Sequence, residues 1–253
     1  MAIKLTPSPN VGFFVTCLVD SFRPNVGFAC IKLLEKAGCK VSVPITQTCC
    51  GQPAYNNGDL ENSQAIAKQV IETFDKFDYI VAPSGSCIGM LKRHYLQLFQ
   101  DEPQWQIRAE NFATRCYELV SFLTDVCNID RVEANFNKTV TYHDSCSGLR
   151  ELGIQKQPRQ LLQTVQGITL IEMKESHVCC GFGGTFCIKY SAISTRMVSD
   201  KVNNIETTKA QVILAGDMGC LLNIAGRLQR LKSSVQVYHV AEVLADMATI
   251  PAV

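Results

Sequence analysis

Two cysteine doublets are the residues most able to do chemistry. Cys49-Cys50-Gly51 recurs as Cys179-Cys180-Gly181, 130 residues later. Each doublet stands between two further cysteines, Cys17 and Cys87 in the first half, Cys146 and Cys220 in the second. The leading cysteines are 129 residues apart and the trailing ones 133. In both halves 31 or 32 residues separate the first cysteine from the doublet, and 36 or 39 separate the doublet from the last. Four positions in one order, met twice, define an internal repeat. Four convergent thiolates can close a tetrahedral zinc site or hold an iron–sulfur cluster. Zinc sites commonly pair ligands as C-x₂₋₄-C, and no such pair occurs here. Adjacent cysteines also point apart, which suits one metal ion less well than a cluster offering several irons. The spacing therefore favours an iron–sulfur cluster, with zinc as the alternative.

The rest of the composition agrees with ligation rather than disulfides. The chain has 253 residues and thirteen cysteines, an odd number that cannot pair completely. The first ten residues contain two prolines and no apolar core of a signal peptide, so a cytoplasmic, reducing location is expected. No apolar run reaches about 18 residues, so no membrane span is expected. A net charge of +1 gives no basic surface for nucleic acid. With 47% hydrophobic residues the chain can build a full core. The turn Gly181-Phe182-Gly183-Gly184 lacks the lysine of a P-loop and the dinucleotide glycine spacing, and reads as backbone packed against a cofactor.

These cysteines need elements to position them, and the elements also repeat. Val11–Thr16 and Thr139–Tyr142 read as strands that deliver Cys17 and Cys146. Helical spacing follows at Asn25–Ala37 and Gln157–Val165, then short strands at Lys40–Val43 and Ile168–Ile171. Amphipathic helices at Leu60–Phe74 and Ser194–Thr207 lead to strands Tyr79–Ala82 and Gln211–Leu214. Helices from Ser84 to about Leu98 and from Asp217 to about Leu228 follow, with Ser84 and Asp217 as N-caps three residues before Cys87 and Cys220. The expected fold class is α/β: two pseudo-symmetric, Rossmann-like βαβ modules with mainly parallel sheets, over residues 1–132 and 133–253. Ligands in such sheets gather beyond the strand carboxyl ends, which is where all eight cysteines fall.

The motifs Thr16-Cys17-Leu18-Val19-Asp20, CCGQPAYNNG from Cys49, Pro83-Ser84-Gly85-Ser86-Cys87, CCGFGGTF from Cys179 and Gly219-Cys220-Leu221 resemble the cysteine-rich CCG domain family. That domain occurs in heterodisulfide reductases, in the iron–sulfur component of glycolate oxidase and in lactate utilisation proteins of the A type, the nearest in pattern. The resemblance implies a [4Fe-4S] cluster in each module, held by Cys17, Cys49, Cys50 and Cys87 and by Cys146, Cys179, Cys180 and Cys220. It implies electron transfer beside other iron–sulfur subunits in a system that oxidises L-lactate to pyruvate. Family motifs that end in Cys-x-x-Cys have Ser84 and Asp217 at the first of those positions here, so each half keeps four of five ligands. Two alternatives stay open, a heterodisulfide-reductase-like catalyst and a zinc-stabilised assembly module.

Other residues carry weaker signals. His143 and Asp144 precede Cys146 and suit a proton-coupled or hydrogen-bonding role beside the cofactor. Arg23 and Arg150 follow the first cysteines and suit charge compensation. Tyr55 and Asn56 follow the first doublet as candidate pocket residues. Cys30, Cys39, Cys116, Cys127 and Cys187 have no repeat partner and are assigned to packing.

Overall fold

The computed structural model describes residues 8–249. The expectation of no leader segment falls largely on residues 1–7, which lie outside the described ones. The first half runs β1 (Asn10–Phe13), α1 (Cys17–Phe22), α2 (Pro24–Lys36), β2 (Lys40–Ser42), α3 (Gln52–Asn56), α4 (Leu60–Phe74), β3 (Tyr79–Ala82), α5 (Gly85–Gly89), α6 (Tyr95–Leu98), α7 (Pro103–Arg115), β4 (Cys116–Glu118) and α8 (Leu119–Ser121). The second runs β5 (Thr139–His143), α9 (Cys146–Leu152), α10 (Lys156–Leu162), β6 (Thr169–Leu170), α11 (Phe186–Lys189), α12 (Ser191–Thr207), β7 (Val212–Ala215), α13 (Met218–Arg230), β8 (Gln236–His239) and α14 (Val240–Leu244).

The strands form two four-stranded sheets, ordered β2-β1-β3-β4 and β6-β5-β7-β8, with every pair parallel. Parallel sheets carry helices on both faces, so their strands are nearly continuous apolar runs. In β7 all four residues are buried, and in β3 three of four. Register makes the repeat residue-specific. Val11 pairs with Tyr79 as Val140 pairs with Val212, so Phe13 and Phe14 stand where Tyr142 and His143 stand.

Three departures from the expected elements concern the sheets and the thiol-bearing helices. β1 stops at Phe13, because the chain then turns through Thr16 at φ 67° to start α1 at Cys17. The helix expected from Ser84 to Leu98 is interrupted by a π-type segment, Met90–His94, which adds a residue to the local turn. Beyond the interruption Tyr95 is completely buried, and its hydroxyl donates to the Cys50 carbonyl at 3.0 Å. Each sheet also has a fourth, edge strand, β4 and β8, whose short runs carry little periodic signal.

The two modules share one core. The larger apolar cluster joins Phe13, Leu119 and Val120 of the first to Leu161, Val240 and Leu244 of the second. Burying each such side chain contributes about 1.5–3 kcal/mol. Helices α5 and α9 cross so closely that a Cβ on Gly85 would lie 2.8 Å from the Gly148 backbone, so any larger residue must push the modules apart. Arg23 at the start of α2 pairs with Glu242 of α14, a carboxylate with no solvent exposure. β4 and β8 end on Glu118 and His239, which cap the next helices through Val120 and Ser121 N–H and through Ala241 N–H. Burial raises the Glu118 carboxyl to about 7.

Candidate functional site

The four thiols of each half meet beyond the strand ends. Cys17 and Cys146 open α1 and α9 immediately after β1 and β5. The doublets sit in loops after β2 and β6, and each is followed by a glycine at positive φ, Gly51 at 83° and Gly181 at 84°. A side chain there would strain the turn, and at Gly181 its Cβ would also lie 3.0 Å from the Ser194 carbonyl. Cys87 and Cys220 are third residues of α5 and α13, beside the positive end of each helix dipole. The second carbonyl of each doublet is pinned by a side chain from the following helical region, Tyr95 on Cys50 and Asn223 Nδ2 on Cys180 at 2.9 Å.

The sulfurs touch. Cys17 and Cys49 Sγ are 3.8 Å apart, and Cys146 and Cys179 Sγ are 4.0 Å apart. Cys50 hydrogen-bonds to both Cys49 and Cys87, and Cys180 to both Cys179 and Cys220. Within each set the doublet's first thiol is the best thiolate. Cys49 is lowered by hydrogen bonds from Cys17, then Cys50, and from the Gly51 and Cys50 N–H groups. Cys179 is lowered in the same way by Cys146, then Cys180, and by the Gly181 N–H at 3.4 Å. Cys17 and Cys146 are raised, first by these same bonds and then by burial. Thiols this close can share protons, which a bound metal would displace.

Accessibility is graded. Cys17 is exposed and Cys49, Cys146 and Cys179 are half-buried, whereas Cys50, Cys87, Cys180 and Cys220 are buried. The first set opens on a cleft of about 260 Å³, lined by its four thiols and, from the second module, by Phe182, Ile188 and Met218. The donor set is that of a thiolate metal or cluster site, and no two thiols are joined as a disulfide. Sulfurs 3.8–4.0 Å apart match the edge of a tetrahedron with metal–sulfur bonds of about 2.3 Å. A multinuclear cluster needs a wider spread, for which the cleft and the exposed Cys17 leave room. The residues fit either group.

Ser84 and Asp217 act as caps. The Ser84 hydroxyl accepts from Cys87 N–H at 3.2 Å and donates to Asp217 Oδ2 at 3.0 Å. Asp217 Oδ1 accepts from Gly219 N–H at 3.1 Å, while Oδ2 also accepts from Ser86 N–H at 3.0 Å. The sequence assigned Asp217 to its own helix alone; the structure makes it cap helices of both modules. Ser84→Ala is expected to cost about 1 kcal/mol in chemical unfolding while the metal content of both sites stays full. A loss of metal from the N-terminal site with unchanged apo-protein stability would instead make Ser84 an oxygen ligand.

The other sequence candidates scatter. His143 lies on the second set: His143, Cys180 and Cys220 place their ligand atoms within 4.8 Å of one another. Asp144 receives a two-pronged pair from Arg159, at 2.7 and 3.0 Å, and the Ser176 hydroxyl at 2.9 Å. Arg23 faces Glu242 rather than a thiol, and Arg150 is an exposed residue near the end of α9. Tyr55 donates to Gln97 and packs against the apolar cluster that contains Cys50 and Cys87, and the Asn56 amide approaches Gly184. Among the unrepeated cysteines, Cys116 donates to the Phe112 carbonyl and Cys187 to the Gly184 carbonyl. Cys39 and Cys127 hydrogen-bond to each other.

Sequence reasoning missed Lys201, a nearly fully buried lysine on the apolar face of α12, whose Nζ donates to the Glu175 and Ser176 carbonyls at 2.5 and 3.4 Å. A lysine amid Met197, Val198, Val202 and Ile205 was the available signal. Burial lowers its pKa. Burial, then the Lys201 charge, lowers His143 to about 4.

Comparisons with known proteins agree in outline. The cysteine-rich domain family CCG matches residues 11–92 and 140–225. A lactate utilization protein A from an Exiguobacterium species is 49% identical, with 93% of this chain and 97% of that protein aligned. Lactate utilization protein A of Bacillus subtilis is 47% identical over 93% of this chain and 98% of its own. Among solved structures, a hypothetical protein from Helicobacter pylori superposes with a TM-score of 0.65 at 10% identity, covering 96% of this chain and half of the other; that likeness is one of fold.

Proposed function

Because the chain belongs to the cysteine-rich CCG domain family, in the lactate utilization protein A group, we propose that it is an iron–sulfur electron-transfer subunit of an L-lactate-oxidising system. The names of its relatives support a role in lactate utilisation. The two sets of four convergent thiols support a metal cofactor in each module. The observation that carries the cluster reading is the cleft of about 260 Å³ opening directly on Cys17, Cys49, Cys50 and Cys87, space that a single ion does not need. A cluster there would supply one-electron transfer.

This chain's residues then have defined tasks. Cys17, Cys49, Cys50 and Cys87 hold the first group; Cys146, Cys179, Cys180 and Cys220 hold the second. Gly51 and Gly181 turn the backbone beside it. Ser84 and Asp217 orient the helices that present Cys87 and Cys220. The exposed Cys17 edge is the route by which electrons enter or leave, since transfer needs close approach of the partner's centre. The sequence has no flavin or nicotinamide fingerprint, so the two electrons lost when lactate becomes pyruvate reach this protein from a partner. Other iron–sulfur subunits of the same system, in the cytoplasm, are the proposed donor and acceptor. Among the described residues no helix is long and apolar enough to cross a membrane.

The sulfur spacing favours a second reading, a mononuclear zinc in each site. Metal and acid-labile sulfide analysis of protein purified without oxygen separates the two. Iron with sulfide, and impaired growth on L-lactate after deletion of the gene, are the expected results. Stoichiometric zinc without iron overturns the electron-transfer reading.

A further inference from the structure

The two thiol sets differ in what stands behind them. In the N-terminal module the residue after β1 is Phe14, whose ring packs on Phe74, and the matching face of α4 carries Val70. In the C-terminal module the equivalent positions are His143 and Lys201. His143 is completely buried. Its Nδ1 lies 3.2 Å from the Ser176 carbonyl, and a carbonyl can only accept, so Nδ1 carries the proton. The lone pair is therefore on Nε2. That atom is buried and has no hydrogen-bond partner. One ring nitrogen of His143 lies within 4.8 Å of the Cys180 and Cys220 sulfurs, and Nε2 is the nitrogen left free to bind. An orphaned, buried acceptor is costly unless something occupies it.

The surroundings hold the ring in place. Ser176 is fixed by its own hydroxyl on Asp144, by the Asp144 N–H on its carbonyl, and by Lys201. Arg159 ties Asp144 to Glu172 on the same loop. A histidine ring beside thiols, with Nδ1–H tied to a backbone carbonyl and the Nε2 lone pair unpartnered, is a ligand arrangement.

We propose that His143 Nε2 is a ligand of the metal centre held by Cys146, Cys179, Cys180 and Cys220, so that the C-terminal site has mixed sulfur and nitrogen ligation while the N-terminal site is all-thiolate. The inference rests on the reading of these thiols as metal ligands. It makes the two centres inequivalent, because the second gains a neutral imidazole donor where the first has the Phe14 ring.

Two measurements on the full chain test it. The first uses Co²⁺ added to apo-protein carrying Cys49→Ser and Cys50→Ser, so that the C-terminal site dominates the cobalt–thiolate absorption. His143→Phe, which copies the N-terminal module, and His143→Gln are each expected to weaken Co²⁺ binding by about tenfold or more. In a Cys179→Ser, Cys180→Ser background the same changes are expected to leave binding at the N-terminal site unaltered, which controls for folding. The second measurement is pulsed electron paramagnetic resonance of reduced, anaerobically reconstituted iron–sulfide protein, unlabelled and with ¹⁵N-histidine. Coupling to a bound imidazole nitrogen is expected, and it vanishes in His143→Phe with iron content retained. Unchanged cobalt affinity in both variants, or a reduced C-terminal centre without nitrogen coupling, overturns the proposal. If the protein takes up no iron and sulfide, the electron-transfer reading fails, and the cobalt titration still decides the role of His143.

Discussion

Cys180→Ser is expected to strip the C-terminal site of its metal and leave the N-terminal site filled, and Cys50→Ser to do the reverse. Each of these sulfurs sits at the centre of its set, in contact with the other doublet thiol and with the thiol on the following helix. Both are buried, Cys50 at 3% exposure and Cys180 at 1%, so solvent cannot supply a replacement ligand. Serine puts a harder oxygen where a soft thiolate is needed. Iron per chain should fall to about half in either variant, measured beside visible absorbance in protein kept from oxygen. Under the proposed electron-transfer role through both centres in turn, lactate-dependent growth should be lost in both. Cys116→Ser is the control. Its thiol donates to the Phe112 carbonyl, a bond that a serine hydroxyl also makes, and it touches neither set. Loss of both metals from Cys180→Ser alone would mean that the two sites assemble as one.

Glu242→Ala is expected to destabilise the whole chain by about 3–5 kcal/mol. The carboxylate has no exposure and accepts from three residues at once. It accepts from Arg23 Nε at 2.9 and 3.0 Å, from Asn25 Nδ2 at 2.9 Å and from the His239 N–H at 3.1 Å. The first two lie in the N-terminal module and the third at the start of α14, so one side chain fastens the modules together. Removing it leaves the Arg23 guanidinium, only 11% exposed, with its buried carboxylate gone. Denaturant unfolding followed by both circular dichroism and tryptophan fluorescence measures the effect. Trp105 reports the N-terminal module, so separation of the two transitions would show that the modules unfold independently once the tie is cut. Glu242→Gln keeps an acceptor for the His239 N–H and should cost less. A change under about 1 kcal/mol for alanine would mean that the shared apolar core alone holds the modules.

Much of the fold was legible because its signals are local. Apolar runs at Tyr79–Ala82 and helical spacing at Leu60–Phe74 coincide with β3 and α4 to the residue, since both are strongly periodic and bounded by turns or caps. Ser84 and Asp217 could be recognised as caps because capping depends on a few neighbouring residues. The π-type segment at Met90–His94 was not legible; its sequence, MLKRH, is ordinary helix composition, and the extra residue per turn is a matter of how the helix packs. Edge strands Cys116–Glu118 and Gln236–His239 were missed for a related reason: strands of three and four residues become visible only when a neighbour supplies the hydrogen bonds.

The candidate site divides the same way. The chain by itself determined which eight cysteines form two equivalent sets, because a repeat is written in residue order and needs no geometry to be seen. It also determined the α/β class, since alternating strand and helix periods leave few other architectures. Only the tertiary structure decided what stands behind each set. Arg23 follows Cys17 closely in sequence, yet turns to a carboxylate 219 residues away, and Lys201 reaches the Glu175 loop from the middle of an apolar helix face. His143 was marked for its nearness to Cys146, but the structure sets its ring beside Cys180 and Cys220, brought in by a loop and by α13. Such partners are chosen by burial. A charged or lone-pair-bearing atom shut away from water must find a complementary atom in three dimensions, and its place along the chain says little about which one.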